Sequence, residues 1–335
     1  YMISWKKSQL FKYSNKIKKY SYYPKASDDF ELVSYINSEL KKHKIDLILP
    51  IDEYGIRTLI KHGDLLTDKD KLVKVTTLKS FDIANNKGLL AKHLKSYGIP
   101  ARETFLYNEN EICEVSPTNF PIILKPLEGI GGGAGIERFN DSKTLNQFFK
   151  TNKVDYSYLI QNYIEGYDID CSVLCKNGEI LAFTIQKGFM GGKNEFAANI
   201  GVKFELNENL FAIVKKLMKS LNWSGVAHID MRYDKNDNTF KIIEINPRYW
   251  ESTEASEIAG VNFPYLHCLS SLNIDFKLPK YKNVEFLNLA GVSKSIKNNK
   301  LFLFRFKFIL FNTPFKYYLK DPLPFMYMMY SKIKN

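Results

Sequence analysis

The sequence predicts an α/β protein of more than one lobe, on three observations. Apolar runs of strand length recur at 45–50, 122–126, 158–160, 225–234 and 240–248. Helical patterns at 56–62, 81–100, 141–149 and 207–221 are interleaved with them,. The 335 residues exceed what one hydrophobic core usually organises, so two or three lobes are expected,.

Composition excludes several classes. A hydrophobic fraction of 45% with 25% charged residues is that of a folded chain, not of a disordered one,. Cys113, Cys171, Cys175 and Cys268 show neither metal-type pairing nor a disulfide framework; Cys171 and Cys175 form a lone CxxxC, and a reducing cytoplasm fits best,. There is no signal peptide and no apolar run of about 18 residues,. The chain opens on Tyr1 rather than Met, which leaves room for an upstream piece.

The net charge of +12 is unevenly spread. Residues 294–335 carry nine Lys or Arg against one acid, Asp321, and the first 25 residues hold seven lysines before the first carboxylate, Asp28. The middle of the chain is close to neutral. That argues against a nucleic-acid-binding protein and for ends that meet an anionic partner.

Residues 1–44 are rich in Lys and Tyr, and IDLILP at 45–50 then reads as a buried parallel strand leading through IDEYG into the helical IRTLIKH,. Asp52 and Glu53 fall at that strand's carboxyl end, where open α/β sheets bind ligands; a helix-capping role is the competing reading,. The pattern at 81–100 predicts one helix stopped by Gly98 and Pro100, with Lys87 early in it, solvated or functional,. A short strand is expected at 104–107.

The stretch IILKPLEGIGGGAGI, 122–136, joins an apolar strand ending on Lys125 to glycines at 129, 131, 132, 133 and 135. Freed backbone N–H groups and an adjacent ammonium make a phosphate site, although a plain glycine hairpin has the same composition. The spacing matches neither a P-loop nor a Rossmann turn.

Further on, a helix capped by Asp141 or Ser142 is expected, then a strand at 158–160 and an alternating one,. In the latter Asp168, Asp170 and Ser172 share one face and Ile169, Cys171 and Val173 the other,. Asn177-Gly178 reads as a hairpin turn, 187–201 as a long substrate-contacting loop, and 207–221 as an amphipathic helix,. If 225–234 and 240–248 pair as a hairpin, Asp230 and Glu244 with Asn246 gather hard oxygens on one face, the donor set of Mg²⁺,. Arg248 continues that alternation as a forked cation, and His228 shares the face of Asp230, lining a site or packed as a structural residue,.

Lys87, Lys125 with its glycines, the connection at 161–164, Asp168 and the Asp230, Glu244, Asn246, Arg248 set together resemble the ATP-grasp superfamily over about residues 45–275, with EINPR the most specific signature. The likeness is greatest to carboxylate-amine ligases related to the carbamoyl-phosphate synthetase large-subunit domains. The resemblance implies an ATP-grasp fold of α+β lobes: a Rossmann-like preceding lobe at 1–80, incomplete-looking at its start, the ATP-grasp domain at 81–278, and a basic aromatic extension at 279–335. It implies that Lys87 and Lys125 contact nucleotide phosphates beneath a loop containing Gly129, Gly131, Gly132 and Gly133. By the same resemblance Gln161, Tyr163 and Ile164 hold adenine, and Asp168, where glutamate is usual, holds the ribose. Asp230, Glu244 and Asn246 would bind Mg²⁺, or Mn²⁺ in its place, and Arg248 would steady the transferred phosphoryl group. The implied reaction joins a small-molecule carboxylate to an amine through an acyl phosphate, releasing ADP and phosphate. The alternatives are a small-molecule kinase on the same fold and a non-catalytic ATP-binding module.

Beyond 275 the resemblance fades. LFLFRFKFILF, 301–311, is too short and too charged to span a bilayer,. It reads either as a core strand or helix packed on the ligase body, or as a cationic aromatic surface touching an anionic membrane or a lipid-linked substrate. The expected location is therefore cytoplasmic, with peripheral membrane contact under the second reading.

Overall fold

The computed structural model describes residues 1–7, 9–24, 28–107, 120–126, 135–152 and 158–334, the side chains of 332–334 excepted. The expected phosphate-loop glycines 129, 131, 132 and 133 lie outside the described residues.

The first strands, β1 (Met2–Ser4) and β2 (Tyr20–Tyr22), pair in parallel. Beside them lie the helices Asp29–His43 and Glu53–His62, capped by the carboxylates of Asp28 and Asp52. Leu32, Val33, Ile36 and Leu40 of the first pack with Leu59 and Leu66. That first helix goes beyond the expectation for 1–44, although its apolar residues carry the helical spacing. The expected strand at 45–50 is reduced to one parallel bridge, Ile48 with Leu72. Its neighbour offers only two hydrogen bonds, at Lys71 and Val73.

A four-stranded antiparallel sheet follows: β3 (Thr104–Tyr107), β4 (Ile122–Pro126), β5 (Glu137–Phe139) and β6 (Tyr158–Asn162), in the order β3-β6-β4-β5. Ile122, Leu124 and Ile160 point to a core closed by Leu145 of the helix Ser142–Thr151. By alternation Lys125 is turned to the other face.

The larger sheet is antiparallel throughout. It comprises β7 (Gly166–Lys176), β8 (Glu179–Met190), β9 (Gly201–Phe204), β10 (Gly225–Asp234), β11 (Thr239–Asn246) and β12 (Glu285–Leu287), in the order β11-β10-β7-β8-β9-β12. Ile169, Cys171, Val173, Ala227 and Ile229 are wholly buried on one face. They lie beneath Leu210, Val214 and Leu217 of the helix Glu208–Ser220, with Leu90 and Leu94 joining the same core. Asp168, Asp170 and Ser172 fall on the other face, as their period of two predicts. The β7–β8 turn is Asn177-Gly178, both at positive φ (50° and 83°), the type I′ geometry that matches strand twist,.

Three further expectations need correction. The helix foreseen over 81–100 is two, Leu78–Asn85 and Lys87–Ser96, because Asn86 is extended (φ −102°, ψ 114°) and turns its side chain to cap Leu89 N. The loop foreseen at 187–201 starts later, since β8 runs on to Met190. The run 301–311 is not a core element: it forms a 3₁₀ turn, Lys300–Phe304, and a short helix, Phe306–Phe311. Phe302 is its one buried side chain, packed on Leu287 and Val292, with Phe308 and Ile309 half-buried against it. The helices Phe315–Lys320 and Pro322–Lys334 follow, and no described helix is long and apolar enough to cross a membrane.

Candidate active site

The polar face of the larger sheet forms one wall of a cleft of about 430 Å³, and Lys125 and Ile123 reach it from the smaller sheet. Register builds that wall. Across neighbouring strands Glu244 is opposite Asp230, Asp230 opposite Asp170, and Asp170 opposite Gln186. The next row is Asn246, His228, Ser172 and Thr184. Antiparallel partners share a face, so each row points its polar groups into the same space.

Asp230 is the most heavily held carboxylate in this wall. Asn246 donates from Nδ2 to its Oδ2 (3.1 Å), and His228 Nε2 lies 3.2 Å from its Oδ1. His228 is in turn 2.9 Å from Ser172 Oγ through Nδ1 and stacks on Trp250 at 5.3 Å. It is thus both buried and part of the cleft. Burial acts to raise the Asp230 carboxyl, but the hydrogen bond and charge of His228, with help from Glu244 and Asn246, bring it below its ordinary value. For His228, burial acts to lower the imidazole and is outweighed by Asp230 and Asp170, which raise it. Glu244 moves up, through burial and then the charge of Asp230. Asp170 is pushed up to about 7 by burial and the same charge.

Those upward shifts come first from burial and then from the neighbouring charge of Asp230. The hard oxygens of Asp230, Glu244 and Asn246 fit Mg²⁺, which would relieve the repulsion between the first two. Asp170, His228 and Asp230 form a second donor group with ligand atoms within 4.8 Å of one another. Its imidazole makes it less suited to a hard cation.

Cations face these acids. Lys125 is 4% exposed, and burial lowers its ammonium to about 8 against the pull of Glu244. Lys87, the first residue of its helix, is not part of the cleft wall, but its charge acts on both Lys125 and Glu244. Arg248 lines the cleft, donating from Nε to Glu53 Oε1 (2.9 Å), from one terminal nitrogen to Tyr249 O (3.1 Å), and from the other to Asn246 Oδ1 (3.2 Å). The two acids at the end of 45–50 therefore part company. Asp52 caps its helix through Gly55 N (2.7 Å) and accepts from Trp5 Nε1 (2.7 Å), whereas Glu53 reaches Arg248.

The connection between the sheets is more mixed. Asp168 lines the cleft and is ion-paired to Arg232, which also donates to Ile164 O (2.7 Å). Tyr163 lines the cleft too, donating its hydroxyl to Glu195 (2.9 Å) beneath the Arg138 guanidinium, 4.0 Å from the ring centre. Gln161 and Ile164 are buried away from the cleft wall, and Gln161 Nε2 donates to Thr104 Oγ1 (2.9 Å). Residues 195–200 and 250–252 complete the wall.

Arg232, Asp170, Gln186 and Arg102 are among the lining residues that escaped the sequence reading as site groups. Arg232 could have been found, because it continues the alternation of His228 and Asp230. Asp170 was visible only as one of two carboxylates on a strand face, and Gln186 only as a strand residue. Arg102 carries no pattern in IPARET. Burial, with Arg232 nearby, lowers its guanidinium to about 10, and its Nε finds no hydrogen-bond partner among the described residues.

Residues 84–252, half of the chain, match the model of the ATP-grasp domain family. The chain is 26% identical over 227 residues to the carbamoyl phosphate synthase large chain of Clostridium acetobutylicum, covering 63% of this chain and 21% of that one. It thus spans about a fifth of the length of the carbamoyl phosphate synthases it matches. A D-alanine–D-alanine ligase of Prochlorococcus marinus is 26% identical over 187 residues, covering 52% of this chain and 50% of the ligase. Among solved structures, N5-carboxyaminoimidazole synthetase from Staphylococcus aureus complexed with ADP superposes with a TM-score of 0.66 at 17% identity, over 84% of this chain and 74% of that one. The family model covers half of the chain, in the segment that holds Lys87, Lys125, Asp230, Glu244, Asn246 and Arg248, and by that match the chain belongs to the ATP-grasp domain family.

Proposed function

We propose that the protein joins a small-molecule carboxylate to an amine at the expense of ATP. The observation that carries the reading is Asp230 and Glu244 side by side on β10 and β11 with Lys125 across the same cleft. In this reading residues 81–278 form the nucleotide-binding part, 1–80 the lobe before it and 279–335 an extension. Asp230, Glu244 and Asn246 hold Mg²⁺, which when bound supplies charge neutralisation to the nucleotide's phosphates. Lys125 and Lys87 hold phosphate oxygens, and the 161–164 connection with Asp168 holds the nucleoside.

The chemistry is balanced in two displacements. A carboxylate oxygen attacks the γ-phosphorus and ADP leaves; the amine nitrogen then attacks the acyl carbon, phosphate leaves, and the nitrogen loses its proton. Arg248, freed from Glu53, steadies the phosphoryl group during both. Two anions must meet in the first step, so fixed cations contribute mainly by positioning and by cancelling repulsion. Residues 195–200 and 250–252 border the space left for the two co-substrates.

ADP release against a panel of carboxylates and amines, with Mg²⁺, tests this. Turnover should require one of each, and Glu244→Ala should abolish it with an unchanged thermal midpoint. ADP release without amine, leaving a stable phosphorylated product, would make the protein a kinase instead. No ADP release with any pair would leave it a nucleotide-binding module.

A further inference from the structure

The chain's two basic ends, some 300 residues apart, are in contact. Tyr13 packs on Tyr327 at 4.4 Å between ring centres. Asn15 N donates to Asp321 Oδ1 (3.1 Å), and Ser14 Oγ donates to the other oxygen of the same carboxylate. The one acid of 294–335 is thereby bound to the amino-terminal segment and not to a lysine of either end. Lys6, Lys7, Lys12 and Lys16 are exposed at one end, and Lys297, Lys300 and Lys307 at the other. Among the described residues no carboxylate lies within ion-pair distance of any of these seven.

The same region concentrates apolar surface. Among the described residues, eleven of the 26 large exposed hydrophobic side chains fall within residues 301–330. Phe304 and Phe306 are each 70% exposed, and Leu301, Leu319, Met326 and Tyr330 exceed 60%. An exposed patch of this density is an interaction surface or an aggregation hazard. What can cover it is decided by its charge. A second copy would set one cationic surface against another. Nucleic acid would match the lysines and stack on the aromatic rings but would leave Leu301, Leu319 and Met326 without a partner. A bilayer with anionic headgroups satisfies both, taking the cations at its surface and the aliphatic and aromatic side chains at the acyl boundary.

We propose that the joined ends dock this protein peripherally on a bilayer carrying anionic phospholipid. No described helix can span, so the contact lies in the interface plane.

Co-sedimentation with vesicles of phosphatidylcholine, alone or mixed with phosphatidylglycerol, tests it. The full chain should partition onto mixed vesicles at low salt, be released by high salt, and bind pure phosphatidylcholine weakly. The combined variant Lys297→Ser, Lys300→Ser, Lys307→Ser should lower the partition coefficient about 100-fold, since each cation near such a surface is worth about fivefold. Phe304→Ser with Phe306→Ser should lower it about tenfold, since the rings insert. Thermal midpoints should be unchanged for both variants, which separates lost docking from lost folding. Absence of partition onto mixed vesicles, or partition that neither variant weakens, would overturn the proposal. So would preference for duplex DNA over vesicles, or self-association abolished by the Phe variant without vesicle binding. None of these outcomes depends on the ligase reading.

Discussion

Lys125 is a cation held where burial opposes its charge. Its ammonium is lowered to about 8 from 10.5, and Glu244 is the main group pulling the other way. Because kcat/KM reports the free enzyme's groups, its value for ATP should fall as pH rises through about 8, where Lys125 gives up the proton that phosphate needs. Stability should move oppositely. Between pH 8 and 10.5 the unfolded chain keeps a proton that the folded chain has lost, so stability rises with pH across that window,. A kcat/KM profile flat from pH 7 to 9.5 would remove Lys125 from nucleotide binding. At this scale the sequence was informative where neighbours in space are neighbours by strand period: Asp230, Glu244 and Asn246 needed only a hairpin to meet. Arg102 was hidden because its surroundings, Arg232, Asp168 and Glu244, come from distant segments.

Among the elements, strands with clean alternation and capped helices were legible, and boundaries that depend on a single polar side chain were not. The β7–β8 hairpin was visible as Asn-Gly between apolar runs, and the helix Ser142–Thr151 through its Asp141 cap. The division of 81–100 escaped because Asn86 is compatible with a helix interior by composition and breaks it only by capping Leu89. The 45–50 run escaped because a strand needs an extended partner, which local pattern does not report. Gly178 is where turn chemistry is least negotiable. Its φ is +83°, and an added Cβ would stand 3.1 Å from Lys219 Cα and 3.4 Å from Met218 O. Gly178→Ala should therefore cost roughly 1–2 kcal/mol, measured by denaturant unfolding. ADP release should be unaffected, since the turn lies at the end of β7 remote from Asp168 and Asp170. A loss of activity without a loss of stability would mean that the hairpin end takes part in the site.

For the whole molecule, the cleft draws on distant parts of the chain. The helix Glu53–His62 belongs to the first part of the chain, yet its first residue holds Arg248 beside β11. Both partners are about one-third or more exposed, 33% and 43% at their side chains, so solvent screens the pair and it contributes little to stability,. In the proposed reaction its consequence is for binding: Glu53 must release Arg248 before Arg248 can meet the carboxylate group that is to take the phosphoryl group. Glu53→Gln removes that competitor while keeping a side chain of similar shape. The KM for the carboxylate co-substrate should fall about two- to fivefold, with kcat and thermal midpoint unchanged, because an exposed pair is worth up to about 1 kcal/mol. Steady-state ADP release with varied carboxylate reads the two parameters separately. Should kcat drop while KM stays constant, Glu53 would be a positioning residue that aims Arg248 during phosphoryl transfer, and the first lobe would act on the chemistry rather than on entry to it.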